Sequence, residues 1–467
     1  MELLATILDR NSKQPLYDQL YAYIKAEILK GSLPYGTRLP SKNKLKAMLN
    51  LSQTTVETAY EQLVAEGYVK SEPRRGFFVQ AKEELAYHRQ SIKARPNSIR
   101  KQAQDNHVYD FYPGLIDTSL FPYRVWRRLY RDAICEENRD LLLLGDSPGD
   151  FDLREQIRIY LYQSRGVICD TGQIVIGAGI EQLLPQIVAL LDEKAVFGVE
   201  NPGYPLSRNV FRGLKREFRQ IDVDSEGAEV KQITGSNISV MYVTPSHQFP
   251  MGCIMSANRR MQLLNWAHST PDRYIIEDDY DGEFRYSGRK IPSLHSLGKG
   301  ETVIYLSTFS KSLIPSLRIG FMVLPPKLAE KYRKEFSHYA SCVSRIDQYV
   351  LTRFMSEGYF EKHLNRMRTI YRKKLEIVMD TLKSTGNKII VSGEKAGLHL
   401  LLTFPEYASE KELIAKANER KIKVCGLANF YSDQNRRMPP GIVMGFGGMS
   451  EDCLREGLKQ LLNCWFP

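Results

Sequence analysis

The sequence predicts two domains: a small N-terminal helical domain that ends in two short strands, and a large α/β domain with a mainly parallel sheet and a small α+β lobe. Three observations support this prediction. The first 80 residues contain three segments with helical periodicity, and from about residue 107 short apolar strands alternate with helices. The chain also has 467 residues, too many for one ordinary core, and its 43% hydrophobic content is ample for packed domains.

The first predicted element is an amphipathic helix over residues 15–30. Leu16, Leu20, Ile24 and Ile28 recur there at the spacing of one helix face. The sequence Gly-Ser-Leu-Pro at residues 31–34 ends this helix, because glycine and proline interrupt helices.

Two serines mark the starts of two further helices. Ser41 precedes a short apolar pattern, and Ser52 precedes the segment SQTTVETAYEQLVAEG. Two capped helices across a short turn are typical of a helix-turn-helix. Residues 68–79, YVKSEPRRGFFV, then predict two strands around a basic turn, which is the pattern of a wing.

This N-terminal stretch resembles the GntR-type winged helix. The matching residues are Gly36, Leu39-Pro40-Ser41, Ser52, Thr55-Val56 and Arg75-Gly76-Phe77-Phe78-Val79. The resemblance implies that residues 1–80 form a domain that binds double-stranded operator DNA.

The positions within this fold suggest which side chains meet DNA. A recognition helix presents its first turn to base edges, so we expect base contacts from Ser52, Gln53, Thr54 and Thr55. Phosphate contacts are expected from Arg38, Ser41 and Lys44, and a minor-groove contact from Arg75 and Gly76. Asn43, Gln53 and Glu57 stand where relatives often carry DNA-contacting arginines, so the operator should differ accordingly.

The charge distribution agrees with a polyanionic partner near the N-terminus. The formal net charge is +11, and residues 1–106 hold 17 Lys and Arg against 11 Asp and Glu, a net +6. A merely soluble basic surface would give the same count. Residues 81–106 are polar and basic with weak periodicity, which predicts a linker between the two domains.

Composition also bears on the cellular compartment. No apolar run approaches the ~20 residues needed to span a bilayer, so no membrane association is expected. The start of the chain lacks the pattern of a secretory signal. Seven scattered cysteines without CxxC pairs favour reduced thiols, a cytoplasmic location and no metal site.

The segment STFSKSLIPSLRIGF, residues 307–321, suggests covalent chemistry. Lys311 lies between two serines and can form a Schiff base with an aldehyde, while nearby hydroxyls and a guanidinium can hold a phosphate. Upstream, the short apolar run RYII is followed by acids and a tyrosine in EDDYDGEF. Ligands of open α/β sheets bind at the carboxyl ends of strands, which favours a site here.

A glycine-rich turn adds an anion-binding feature. The segment IVIGAG predicts a strand that leads into a helix beginning near Ile180, with glycines at 177 and 179. The amides of Gly179, Ile180 and Glu181 would face whatever lies at the helix N-terminus, which suits a phosphate.

These segments of the large domain, residues 107–467, resemble pyridoxal-phosphate enzymes of the aspartate-aminotransferase fold. The resemblance implies that Lys311 carries pyridoxal 5'-phosphate (PLP) as a Schiff base and that Asp278 pairs with the ring nitrogen. It further implies a contact of Tyr280 with the phenolic oxygen and stacking of Tyr204 on the ring. The remaining implied contacts are Thr308, Ser310 and Arg318 to the phosphate, and His247, or alternatively Gln248, to a cofactor oxygen.

Together, the two domains resemble the MocR/GabR-type transcription regulators. That resemblance implies a head-to-tail homodimer in which PLP serves to sense a small amino compound. At two positions where the GABA-responsive member has carboxylate-binding arginines, this chain has Leu206 and Asn429. The effector pocket should therefore not hold GABA in the same way, and the effector is another amino compound or PLP itself. The alternative is an active aminotransferase with an accessory DNA-binding domain.

Overall fold

The computed structural model describes residues 8–10, 12, 14–80, 106–287, 292–407, 409–433 and 439–466. The chain divides into two compact units, Met1–Asp105 and Asn106–Pro467. Most of the predicted linker, residues 81–105, lies outside the described residues. Within the described part of the chain, no helix is both long enough and apolar enough to cross a membrane.

The first unit is a winged helix-turn-helix, as predicted. Its elements are α1 (Leu16–Leu29), α2 (Lys42–Leu49), α3 (Gln53–Ala65), β1 (Val69–Glu72) and β2 (Gly76–Val79). The side chain of Ser41 accepts a hydrogen bond from the amide of Lys44, and that of Ser52 accepts one from the amide of Thr55, so both helices begin at the predicted caps. The backbone of Asn50 is left-handed (φ 49°) and ends α2.

A single apolar core holds this unit together. Leu20 and Ile24 of α1 pack with Leu45 of α2, Val56 of α3 and Val79 of β2. The two strands pair antiparallel, with Val69 opposite Val79. Burial of one face of each helix leaves the first turn of α3 exposed on the opposite side.

The second unit is an α/β domain with a small lobe, which confirms the predicted fold class. Its helices are α4 (Tyr123–Ala133), α5 (Phe151–Arg165), α6 (Ile180–Leu190), α7 (Pro205–Gly213), α8 (Val230–Ile233), α9 (Ala257–His268), α10 (Leu294–Leu297), α11 (Pro326–Glu335), α12 (Arg345–Ser356), α13 (Tyr359–Lys383), α14 (Glu410–Glu419) and α15 (Glu451–Trp465).

The strands of this unit form a large sheet, a small sheet and one isolated pair. They are β3 (Tyr109–Asp110), β4 (Ile174–Gly177), β5 (Phe197–Asn201), β6 (Phe218–Asp224), β7 (Gly227–Ala228), β8 (Val240–Val243), β9 (Tyr274–Asp278), β10 (Val303–Thr308), β11 (Gly320–Val323), β12 (Ile390–Ser392), β13 (His399–Thr403), β14 (Ile422–Lys423), β15 (Cys425–Gly426) and β16 (Gly441–Gly445).

The large sheet has the strand order β4-β11-β10-β9-β8-β5-β6-β7. Strands β10, β9, β8, β5 and β6 run parallel to one another, whereas β11 is antiparallel to both β10 and β4, and β7 is antiparallel to β6. Apolar clusters that include residues of α6, α7 and α11 on one face, and of α5, α9 and α12 on the other, bury the central strands on both sides. This explains why those strands are continuous apolar runs rather than alternating ones.

The small lobe contains the antiparallel sheet β12-β13-β16-β15. Residues of α13, α14 and α15 pack against it in one apolar cluster. Strand β3, near the start of this unit, pairs parallel with β14, so the chain enters the unit along the small lobe.

Candidate functional site

The site lies where two neighbouring parallel strands end. Leu306 of β10 pairs with Asp278 of β9, so the segments that follow both strands leave the same edge of the sheet. A cavity of about 250 Å³ opens at this edge. It is lined by Tyr112, Pro113, Gly114, Gly179, Ile180, Glu181, Tyr204, Thr244, Phe249, Asp278, Tyr280, Thr308, Ser310, Lys311, Pro315 and Arg318.

Lys311 reaches into this cavity from the turn after β10. Its amine donates hydrogen bonds to the carbonyl oxygens of Pro113 (3.0 Å) and Gly114 (2.8 Å). Burial lowers the pKa of Lys311 to about 8, and Asp281 acts in the opposite direction. A larger fraction of this amine is therefore neutral, and nucleophilic, near neutral pH than for an ordinary lysine.

Asp278 is the one acid of the segment EDDYDGEF that lines the cavity. Its side chain is 2% exposed, and one oxygen accepts a hydrogen bond from the hydroxyl of Tyr242. The other oxygen, Oδ1, has no hydrogen-bond partner among the described residues. Burial raises the pKa of Asp278 to about 7. A buried carboxylate oxygen without a partner indicates that a donor from outside the chain belongs there.

The acids on either side of Asp278 stabilise the fold instead. Asp279 forms an ion pair with Arg165 (2.6 Å) and accepts a hydrogen bond from Tyr305. Glu277 accepts from the amides of Leu294 and His295 at the start of α10. Successive side chains of a strand point to opposite faces, so consecutive acids at the end of β9 meet different surroundings.

The opposite side of the cavity suits a phosphate. Gly179 adopts φ 91° before α6, and a Cβ at this position would lie 2.4 Å from Nη2 of Arg318. Only glycine therefore allows the guanidinium to lie against the start of the helix. The amides of Ile180 and Glu181 belong to the first turn of α6 and have no carbonyl one turn earlier to bond.

The donor set of the cavity fits a phosphorylated pyridine aldehyde. Lys311 supplies an amine, and Asp278 supplies an unpaired carboxylate oxygen for a ring nitrogen. Thr308, Ser310 and Arg318 line the cavity together with the start of α6, and their hydroxyls and guanidinium would suit a phosphate. PLP has all three complementary groups.

Aromatic rings form much of the remaining cavity wall. Tyr204 is 37% exposed and meets Phe249 edge to face, with 5.8 Å between ring centroids. The hydroxyl of Tyr280 donates to the carbonyl oxygen of His247 at 2.9 Å, although its ring lines the cavity. The wall therefore combines flat aromatic surfaces with polar and charged side chains, as small-molecule sites do.

Sequence reasoning missed several of these wall residues. They are Tyr112, Pro113, Gly114, Thr244, Phe249 and Pro315. The sequence did contain a signal for Phe249, because this residue directly follows the predicted pair His247 and Gln248. The residues at 112–114 come from the start of the unit, and no local pattern connects them to Lys311.

His247 and Gln248 do not line the cavity. Nδ1 of His247 lies 2.9 Å from Asp281, and the ring is buried behind Tyr280 beside His399. The backbone of Gly397 fills the adjacent space, where a Cβ would lie 2.0 Å from that same nitrogen. The amide of Gln248 donates to Glu200 (3.2 Å) and to the carbonyl oxygen of Pro202 (3.0 Å).

Leu206 and Asn429, both described residues, are also absent from the cavity wall. Leu206 is the second residue of α7 and packs against the apolar cluster of the large sheet. Asn429 is exposed, and its carbonyl oxygen accepts a hydrogen bond from Arg208 at 3.3 Å. Among the described residues that line the cavity, Arg318 is the one arginine.

The expected DNA-contacting side chains of the first unit are largely exposed. Those at least one-third exposed are Arg38, Ser41, Lys44, Ser52, Gln53, Thr54 and Arg75, whereas Thr55 and Gly76 are half-buried. The hydroxyls of Ser52 and Thr55 bond to each other at 2.7 Å. Gln53 donates to Glu57 at 3.3 Å, and Lys42 pairs with the same carboxylate at 3.3 Å. Gln53 and Thr54 are the exposed side chains of the first turn of α3.

Comparisons with known proteins agree with both units. Residues 16–79 match the family "Bacterial regulatory proteins, gntR family", and residues 114–440 match "Aminotransferase class I and II". The HTH-type transcriptional regulator YdeL of Bacillus subtilis is 42% identical, with 99% of each chain covered. The probable rhizopine catabolism regulatory protein MocR of Rhizobium meliloti is 32% identical over 98% of this chain and 95% of its own.

The chain belongs to the MocR/GabR-type transcription regulators. It joins a GntR DNA-binding domain to an aminotransferase-like domain. Among solved structures, the kynurenine aminotransferase of Pyrococcus horikoshii is similar, with a TM-score of 0.67 and 26% identity over 76% of this chain and 90% of its own. As in other MocR/GabR-type regulators, DNA binding resides in the GntR domain.

Proposed function

We propose that this regulator holds PLP in the cavity at the ends of β9 and β10, and that an amino compound, or PLP itself, acts there to control binding of operator DNA. The proposal assigns DNA binding to residues 1–80, a linker to 81–106 and ligand sensing to 107–467. The observation that carries it is that the same cavity is lined by Lys311, with its amine, and by Asp278, one of whose carboxylate oxygens has no partner among the described residues.

PLP, when bound, supplies an aldehyde that condenses with amines and a ring that withdraws electrons. The chain's own groups prepare this chemistry. Burial keeps part of the Lys311 amine neutral, while Asp278 can hold a proton on the ring nitrogen. Tyr204 and Phe249, which line the cavity, would shield the bound group from water, and Arg318 with the start of α6 would hold its phosphate.

The effector side of the cavity favours an amine that does not depend on a charged carboxylate contact. Among the described wall residues, the sole arginine, Arg318, lies at the phosphate end. A pair of amines that differ only by a carboxylate, such as GABA and n-propylamine, should therefore change the absorption of the bound cofactor to a similar degree. A response to GABA that is at least 100-fold tighter would contradict this proposal.

The alternative function is a working aminotransferase with an accessory DNA-binding domain. The likeness to the kynurenine aminotransferase, 26% identical over 76% of this chain, is the observation that favours it. The two functions separate by turnover. A regulator should convert at most one equivalent of amine per bound cofactor, whereas an aminotransferase should produce keto acid continuously when amino donor and keto acceptor are both present.

The remaining parts of the proposal concern assembly and location. We propose a head-to-tail homodimer, since a dimer joins two DNA half-sites on one molecule. A cytoplasmic location follows from the DNA partner and from seven cysteines that are all free. Analytical ultracentrifugation of the full chain tests the dimer.

A further inference from the structure

The phosphate end of the cavity contains an acidic group. Oε2 of Glu181 lies 2.5 Å from Nη2 of Arg318, and both side chains line the cavity. The side chains are 52% and 46% exposed, so the pair faces the open part of the cavity. Arg318 is the residue that should hold the phosphate, and in this structure its guanidinium is already paired with the carboxylate of Glu181.

Backbone geometry holds the two groups together. Glu181 is the second residue of α6, and Gly179 immediately before the helix would, with a Cβ, lie 2.9 Å from Oε2 of Glu181. Arg318 has a left-handed backbone (φ 51°) and also donates to the carbonyl oxygen of Ala178 at 3.2 Å. The ion pair therefore lies directly over the start of α6, where a phosphate would accept from the helix amides.

A phosphate that enters this end meets a competing anion. Either Glu181 leaves Arg318 and the favourable end of the helix dipole, or the carboxylate and the phosphate stay side by side with the same sign of charge. Both outcomes weaken phosphate binding.

We propose that Glu181 is an affinity-setting residue that competes with the PLP phosphate for Arg318 and keeps PLP exchangeable. This inference rests on the proposed function, because it assumes that PLP binds in the cavity. It adds that occupancy should follow the free PLP concentration, which suits a regulator whose ligand includes PLP itself.

The test compares PLP affinity of the full-length, cofactor-free wild type with that of Glu181→Gln, measured by the change in visible absorption. Removal of a partly exposed competing charge should tighten PLP binding roughly two- to fivefold. Pyridoxal, which has no phosphate, should bind both proteins equally. The matched control is Glu330→Gln, since Glu330 forms an exposed ion pair with Lys334 on α11, and it should leave PLP affinity unchanged.

A second measurement uses inorganic phosphate as the probe. Phosphate should compete with PLP more strongly in Glu181→Gln than in the wild type. Unchanged PLP affinity in Glu181→Gln, or an equal gain for pyridoxal, would overturn the inference while leaving PLP binding intact. Absence of any PLP signal in the wild type would overturn the proposed function, and the role of Glu181 with it.

Discussion

The amine nitrogen of Lys311 lies 2.8 Å from the carbonyl oxygen of Gly114, a residue 197 positions earlier in the chain. Gly114 follows β3, which pairs with β14 of the small lobe. The reactive amine is therefore bonded to a segment that belongs, through β3, to the small lobe, while Lys311 itself follows a strand of the large sheet. A change in the hydrogen bonds of this amine would therefore alter a contact between the large sheet and the small lobe.

Replacement of Lys311 by alanine should abolish the visible absorption of the Schiff base that we propose PLP forms with the wild type. The fold should persist, because among the described residues the side chain hydrogen-bonds to two backbone carbonyl oxygens, and the strand before it is buried. Absorption and far-UV circular dichroism measure both effects. Lys327→Ala, which removes an exposed lysine paired with Asp272, is the control and should keep wild-type absorption. Wild-type absorption in Lys311→Ala would place the Schiff base elsewhere.

The rate at which the cofactor-free protein captures PLP should depend on pH. The pKa of Lys311 is lowered by burial to about 8, so the neutral, nucleophilic amine accumulates as the pH rises toward 8. The rate should climb between about pH 6 and 8 and level off above about pH 9. Stopped-flow absorption gives this profile. A rate that keeps rising past about pH 10 would show an amine with an ordinary pKa.

Asp278→Asn should have opposite effects on the cofactor-free and cofactor-bound proteins. Burial raises the pKa of Asp278 in the folded state to about 7. The contribution of this group to the free energy of unfolding is therefore fully present at low pH, where the group is protonated, and is lost as the pH rises through 7. Asparagine removes this penalty, and the cofactor-free variant should melt a few degrees higher than the wild type at pH 8 but not at pH 4. PLP affinity should fall roughly 10- to 100-fold, because the ring nitrogen loses a charged partner.

The neighbouring variant Asp279→Asn is the control for this comparison. It leaves the buried Arg165 without its carboxylate, so it should lower the melting temperature. If Asp278→Asn destabilised the cofactor-free protein at pH 8, this result would show that Oδ1 of Asp278 has a hydrogen-bond donor in the cofactor-free protein. Differential scanning fluorimetry at both pH values decides.

Much of the fold was predictable because local signals and tertiary packing agree. Ser41 and Ser52 cap the two helices that were predicted to begin there. The acid-rich and lysine-rich segments lie close together because the parallel strands β9 and β10 end at the same edge of the sheet. Contacts across long sequence separations were not predictable, as Lys311 with Gly114 shows. Leu206 shows a limit of local reasoning: Pro205 starts α7, so Leu206 lies within the helix and packs on the core instead of continuing the loop of Tyr204.

Two substitutions in the DNA-binding unit should separate base contacts from phosphate contacts. Lys44→Ala should weaken binding to specific and scrambled duplexes alike and reduce the salt dependence of log K by about 1, because one phosphate contact is lost. Gln53→Ala should weaken binding mainly to a duplex selected from a random pool. Lys30→Ala, which removes a lysine paired with Glu27 just beyond the end of α1, is the control. Fluorescence anisotropy over a salt series measures all three.

We propose that chemistry at Lys311 controls DNA binding by the winged helix. The most direct test measures the affinity of the full-length protein for its selected duplex as PLP, and then an absorption-active amine, are added, in the wild type and in Lys311→Ala. Wild-type affinity, or the length of DNA protected in a footprint, should change with the same ligand dependence as the absorption, and Lys311→Ala should show neither change. If the absorption of the wild type responds to both ligands but its DNA binding does not, chemistry at Lys311 does not control DNA binding.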